Sequence, residues 1–137
     1  MSPVTFKFGD IERDSLWLTE LARLGKKTAT CDRIERFGDG PGQDPMPVVG
    51  RRDIALNWDG TPALEIETLS VTFHRFDEVP EDFALAEGEN ETLEGWRRDH
   101  RKYFERTGGW SSDMILMCER FRVVQDLTNK TKTGDST

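Results

Sequence analysis

The run from Arg52 to Phe73 restricts the fold more than any other, because its apolar alternation changes phase partway along. Ile54, Leu56 and Trp58 alternate, Asp59-Gly60 marks a tight turn, and Leu64, Ile66 and Thr68 alternate again. Two such segments joined by an Asp-Gly dipeptide predict a β-hairpin. Leu69, Val71 and Phe73 then form the next inward set, one residue out of step with Leu64 and Ile66. Strand side chains alternate with period two, so a parity change inside one strand requires a bulge or a sharp bend. Bent strands let a small sheet curl toward a barrel.

Helical signals flank this run. Trp17, Leu18, Leu21 and Leu24 share a stripe between Asp14 and Leu24, with Asp14 or Ser15 placed as the cap and Gly25 as the stop. Thr28 to Phe37 has strand character, and Gly38 to Pro45 is a polar loop placed to act as a flap over a site. After Pro80 a short helix through Phe83, Ala84 and Ala86 is predicted, ending near Gly88. Thr92 is positioned to cap a longer helix with the stripe Leu93, Trp96, His100 and Tyr103 or Phe104, stopped by Gly108-Gly109. On that stripe His100 reads as a core or boundary histidine. Met114 to Cys118 is continuously apolar and alternation resumes at Phe121 and Val123, as in a centrally buried strand. The order leaves little room for βαβ crossovers. The expected class is therefore α+β, a small, mostly antiparallel barrel flanked by helices, over residues 1–125, with a polar, disordered tail at 126–137.

Composition narrows the functions. The 137 residues carry a formal charge of −7, the wrong sign for a protein that grips long nucleic acid mainly through its phosphates. A small-molecule or short-segment ligand is favoured. No apolar run is long enough for a membrane span, and Met1-Ser2-Pro3-Val4-Thr5 does not begin a secretory signal, so the cytoplasm is the expected location. Cys31 and Cys118 fall in separate strand segments and are expected to stay reduced. With His74 and His100 they form no zinc-spaced cluster, and neither metal nor cofactor is expected. Charge is also uneven, since every ionisable residue from Asp77 to Glu94 is acidic and Arg97, Arg98, Arg101, Lys102 and Arg106 then follow together.

Leu24-Gly25-Lys26-Lys27-Thr28-Ala29-Thr30-Cys31 passes from a helix stop straight to two lysines, two threonines and a strand start. A lysine and a hydroxyl three positions apart at such a turn suit hydroxyl-nucleophile chemistry. Lysine pairs beside loops are ordinarily solvated charges, so the motif gains meaning from its surroundings. Those are Pro47-Val48-Val49-Gly50, Phe76-Asp77-Glu78-Val79, Ala86-Glu87-Gly88-Glu89 and Cys118-Glu119-Arg120-Phe121, in that order. Together they resemble the ASCH domain family, a PUA-like β-barrel. With Trp96-Arg97-Arg98-Asp99-His100 the resemblance is to its longer bacterial branch, and it runs from Phe8 to Val124.

The resemblance implies RNA binding, ribonuclease activity or hydrolysis of N4-acylated cytidines such as N4-acetylcytidine. In the amidohydrolases the site resembles Gly-x-Lys-x-x-Thr plus a Glu just before a Thr-Leu helix start, which lands on Lys27, Thr30 and Glu89. It implies that Thr30 attacks, that Lys27 takes its proton, and that Glu89 binds the cytosine or protonates the departing amine. Lys27 can serve as a base only if burial depresses its pKa. Backbone N–H groups in the turn after Gly25 are the candidate oxyanion donors. Lys26 competes with Lys27, because adjacent side chains in extended chain point opposite ways, and Glu87 competes with Glu89. Arg33 is the first basic residue after the strand start, later than in the short amidohydrolases, and is a candidate contact to base or sugar. Ser112, beside Ser111, lines the same pocket or caps the last strand. The implied partner is a modified nucleoside, turned over or merely sensed; the alternative is single-stranded RNA read by the barrel mouth and the basic helix.

Overall fold

The Asp-Gly turn forms as its residues require: the Asp59 carboxylate accepts from the Thr61 backbone N–H at 3.0 Å, and Gly60 takes a φ of +89°. The computed structural model describes residues 3–128, and the polar segment beyond Thr128 lies outside them. Around the turn, β1 (Thr5–Phe6), α1 (Glu12–Arg23), β2 (Ala29–Arg33) and β3 (Arg52–Leu56) precede β4 (Pro62–Arg75). It is followed by α2 (Glu81–Ala86), α3 (Leu93–Thr107) and β5 (Ile115–Asp126). The strands make one sheet in the order β1-β3-β4-β5-β2, with β1 parallel to β3 and the other pairs antiparallel. This is the expected α+β arrangement, with the apolar β5 central. Among the described residues no helix is long and apolar enough to cross a membrane.

The phase change in β4 is a bulge. Its pairing passes from Thr68↔Phe121 to Ser70↔Arg120 and leaves Leu69 without a partner. Leu64, Ile66 and Thr68 are buried before it. The row beyond is not: Leu69 and Phe73 are 48% and 49% exposed. The β3 pairing with β4 ends at Glu67, and among the described residues no strand pairs with that edge of β4 over its distal half.

Two other inward faces differ from the alternation pattern. In α1 the buried residues are Ser15, Thr19 and Ala22, whereas Trp17 and Leu24 face outward. The helix also starts at Glu12, ahead of the expected caps. In β3, Asp53 and Ala55 are buried while Ile54 and Leu56 are half-buried. In α1 the buried face is the one with small side chains, Ala22 packing against Phe8, Leu64 and Phe121, while Trp17 and Leu18 border the cavity. β2 is shorter than expected and turns into a 3-10 segment at Ile34–Arg36. The Gly38 to Pro45 loop closes on itself through Gln43, which donates to the Glu35 and Phe37 carbonyls at 3.0 and 3.1 Å.

One apolar cluster, centred on Phe76, Trp96, Phe104 and Leu116, packs α2 and α3 on the sheet. A second, with Phe8, Ala22, Leu64 and Phe121, lies beneath α1. Thr92 caps α3 as its position predicts, accepting from the Gly95 N–H at 3.0 Å.

Candidate active site

The site begins where α1 stops. Gly25 takes a φ of +79°, open to glycine at little cost. The Leu21 carbonyl then accepts from both Lys26 N–H and Lys27 N–H, at 2.9 and 3.1 Å. Gly25 donates to the Ala22 carbonyl and Thr28 to that of Ala86, at 3.0 and 2.8 Å. Every N–H of the turn is thereby occupied, so these groups are not the oxyanion donors that the sequence suggested. The turn also separates the two lysines. Lys26 is exposed, whereas Lys27 is 2% exposed and points inward; Lys26 is removed from the candidate site.

The loop between α2 and α3 meets this turn at Gly88. A Cβ there would overlap the Lys26 carbonyl oxygen and come within 3.0 Å of the Lys27 Cα, and φ is +79°. Glycine is therefore needed twice over, and the close approach delivers the flanking Glu87 and Glu89 to Lys27. The ammonium lies 3.3 Å from Glu87 Oε1 and 3.1 Å from Glu89 Oε2. On its other side it sits over the Phe8 ring, 5.7 Å from the centroid.

Glu87 is the more heavily bonded carboxylate. Its Oε2 accepts from Trp96 Nε1 at 2.8 Å and from the Cys31 thiol at 3.2 Å, and faces His100 Nε2 at 3.4 Å. His100 Nδ1 is 2.9 Å from the Trp96 carbonyl, which can only accept. That nitrogen therefore carries a proton. With Nε2 facing a carboxylate as well, His100 is an imidazolium. Burial works against its charge, but Glu87 outweighs burial and raises its pKa. Burial likewise raises Glu87, yet Lys27, His100 and Trp96 overcome it and hold the carboxyl well below the ordinary range. For Lys27 burial lowers the pKa, and Glu87 with Glu89 more than offsets that. The depressed lysine that the chemistry asks for is thus absent from the resting site, where Lys27 is an ammonium.

Cys31, Glu87 and His100 offer one ligand atom each within 4.8 Å, a potential metal-binding trio that their sequence spacing hides. Each of the three is already engaged in the charge network around Lys27. Burial, followed by Glu87, pushes the Cys31 thiol well up and keeps it protonated. Cys31 and Cys118 are register partners on β2 and β5 and both are free thiols.

These groups open on a cavity of about 860 Å³ whose walls include Lys27, Thr30, Glu87, Glu89 and His100, within the size range of small-molecule sites. Pro45 and Pro47 border it, so the loop before β3 sits at the cavity as expected. Among the described residues no hydrogen bond joins the Thr30 hydroxyl to Lys27. On the sheet side, Thr30 and Glu119 are cross-strand partners. Glu119 is 6% exposed and accepts from the Thr68 hydroxyl at 2.7 Å. Asp53, also in the wall, is held by Arg51 through both oxygens at 2.8 and 3.1 Å.

Two candidates fall elsewhere. Arg33 spans the end of α3, donating to the Phe104 and Gly109 carbonyls at 3.1 and 2.8 Å, with its guanidinium over the Phe104 ring. Ser112 is exposed in a separate groove beside Arg97 and Trp110. Neither lines the cavity: the Arg33 guanidinium is turned to the carbonyls at the end of α3, and Ser112 borders the other groove. Conversely, Glu119, Asp53 and the charged state of His100 escaped the sequence reading. The available signal for Glu119 was a carboxyl following a continuous apolar strand.

A comparison with curated proteins finds no match. Solved structures do match. One is an ASCH domain from Lactobacillus crispatus JV V101, 32% identical, with a TM-score of 0.77 over 88% of this chain and 78% of that one. Another is protein EF3133 from Enterococcus faecalis V583, of family DUF984, 30% identical, with a TM-score of 0.81 over 98% and 83%. The five-stranded sheet and its helices thus have the PUA-like form associated with RNA binding or hydrolysis. The ASCH domain profile matches residues 5–125, and the chain belongs to the ASCH domain family.

Proposed function

We propose that this protein is an amidohydrolase that removes the acyl group from N4-acylated cytosine nucleosides. The observation that carries the reading is the convergence of Lys27, Glu89 and Thr30 on one cavity with room for a nucleoside, with Lys27 and Glu89 in contact at 3.1 Å. Since Lys27 rests as an ammonium, it needs a proton acceptor before it can act as a base. Glu89 is that acceptor. A nucleoside seated over this pair displaces water, and a charge pair deprived of water is disfavoured against the neutral amine and carboxylic acid. The neutral amine then takes the Thr30 proton as the hydroxyl oxygen attacks the acyl carbonyl. Glu87, anchored by Trp96 and His100, holds Lys27 in position throughout.

Incubation with N4-acetylcytidine is expected to release cytidine, and Thr30→Ala, Lys27→Ala and Glu89→Ala are each expected to lower kcat by at least about 100-fold. Wild-type rates in all three variants would remove the assignment. One observation favours a second reading, single-stranded RNA binding or cleavage: Arg101 stacks 4.0 Å over Trp110, beside Arg97, Arg98 and Lys102. RNA binding that weakens steeply with salt and is lost on reversing these charges would support it.

A further inference from the structure

Resting on the amidohydrolase reading, we propose that Glu119 is a catalytic acid of the reaction, delivering a proton to ring nitrogen N3 as the cytosine amine departs. The geometry comes first. Glu119 lines the cavity, is buried, and is the register partner of Thr30 across β2 and β5. Partners in an antiparallel pair share a face with Cβ atoms about 4.5–5.5 Å apart, so the carboxyl stands beside the nucleophile.

The electrostatics suit the role. From β4 the Thr68 hydroxyl donates to Glu119 Oε2, and from the β3 side the Arg51 guanidinium is taken up by both oxygens of Asp53. The other ionisable groups of the cavity include Asp32 on β2, Arg13 and Asp14 on α1, His100 on α3, and Lys27, Glu87 and Glu89 at the opposite turn. No cation forms an ion pair with Glu119 among the described residues. Burial, which the Thr68 bond only partly opposes, pushes the carboxyl up to about 7, so a large share is protonated at neutral pH.

The leaving group needs such an acid. An amine attached to a cytosine ring cannot depart as a free anion in a dry site, but its negative charge is shared with N3. As the tetrahedral intermediate collapses, the acyl C–N4 bond breaks, its electron pair passes onto the ring, and N3 takes the Glu119 proton. Cytidine leaves as the neutral N3–H imino tautomer, with its original hydrogen still on N4. A carboxylic acid fits this edge, since its O–H donates to N3 while its carbonyl accepts from N4–H. Water then attacks the Thr30 ester, its proton passes to the Glu119 carboxylate, and Lys27 returns a proton to the Thr30 oxygen. As the products leave, Glu89 returns its proton to Lys27, which restores the resting ammonium–carboxylate pair and every other group to its starting state.

Glu119→Gln keeps the volume and the acceptor for Thr68 but has no acid proton. Steady-state kinetics on N4-acetylcytidine from pH 5 to 9 test the role. For the wild type, kcat is expected to fall as pH rises through about 7. For Glu119→Gln, kcat is expected to be about 100-fold lower with KM within about threefold, and the alkaline fall is expected to be gone. A Gln variant that keeps kcat within about twofold, or retains the alkaline fall, overturns the role and leaves the amidohydrolase intact. So does a loss confined to KM. Absence of cytidine release by the wild type overturns the reaction and this role together, a result distinguishable from either of those.

Discussion

Glu87 and Glu119 are buried to a similar degree, 2% and 6% exposed, in the walls of one cavity, yet they titrate in opposite directions. Burial penalises both anions. At the junction of α2 and α3, Glu87 meets an ammonium, an imidazolium, an indole N–H and a thiol, and these overcome the penalty. On the sheet, Glu119 meets one hydroxyl, while the neighbouring guanidinium is claimed by Asp53. The same side chain is thus a fixed counter-ion in one region and a proton carrier in the other. The number of donors at the carboxylate decides the outcome, and depth does not.

Removing the counter-ion should have the largest effect. Glu87→Ala leaves Lys27 and His100 buried with Glu89 as their remaining carboxylate, and a broken buried pair costs about 3–5 kcal/mol. Urea unfolding at pH 7 measures it, and a cost below about 1 kcal/mol would mean that Glu87 is not the anchor of this region. The sign with pH also follows. Because the folded-state pKa of Glu87 is lowered, its stabilisation is present above the unfolded value of about 4.3 and fades as pH falls toward the folded one.

Glu119 should behave in the reverse sense. Its folded-state pKa is raised to about 7, so its contribution is complete below the unfolded value and is lost as pH climbs through about 7. Glu119→Gln, which cannot ionise, should therefore be more stable than the wild type at pH 8, by about 1–3 kcal/mol, and should lose that advantage at pH 4. Thermal unfolding at both pH values provides the check; an equal difference at the two would abolish the contrast with Glu87.

The smallest expected change in stability belongs to Glu89, whose side chain is 18% exposed and whose partner Lys27 retains Glu87. Glu89→Gln should cost less than about 1 kcal/mol while abolishing most of the proposed activity. A large loss of stability there would merge its role with that of Glu87.

Much of the fold was legible because its signals are local. Gly25 ends α1, Thr92 caps α3, Asp59-Gly60 turns the hairpin, and the change of parity locates the bulge at Leu69. Lys27, Thr30 and Glu89 were legible as a motif, and all three reach the cavity. The inward faces of α1 and β3 were not, because alternation reports which residues are apolar and not which side is covered. Lys26, Arg33 and Ser112 failed for a related reason, since chemical type says nothing of direction.

Chain order and residue type thus determine where helices stop, where strands bend and which reactive groups are available, through steric and hydrogen-bonding preferences that act over a few residues. The proton on each of those groups is settled over longer distances. Lys27 receives its partner Glu87 from 60 residues away, and Glu119 receives its hydroxyl from 51 residues away. A pKa is a sum over neighbours in space, and those neighbours exist only once the sheet has brought the turn, the helix junction and the central strand together.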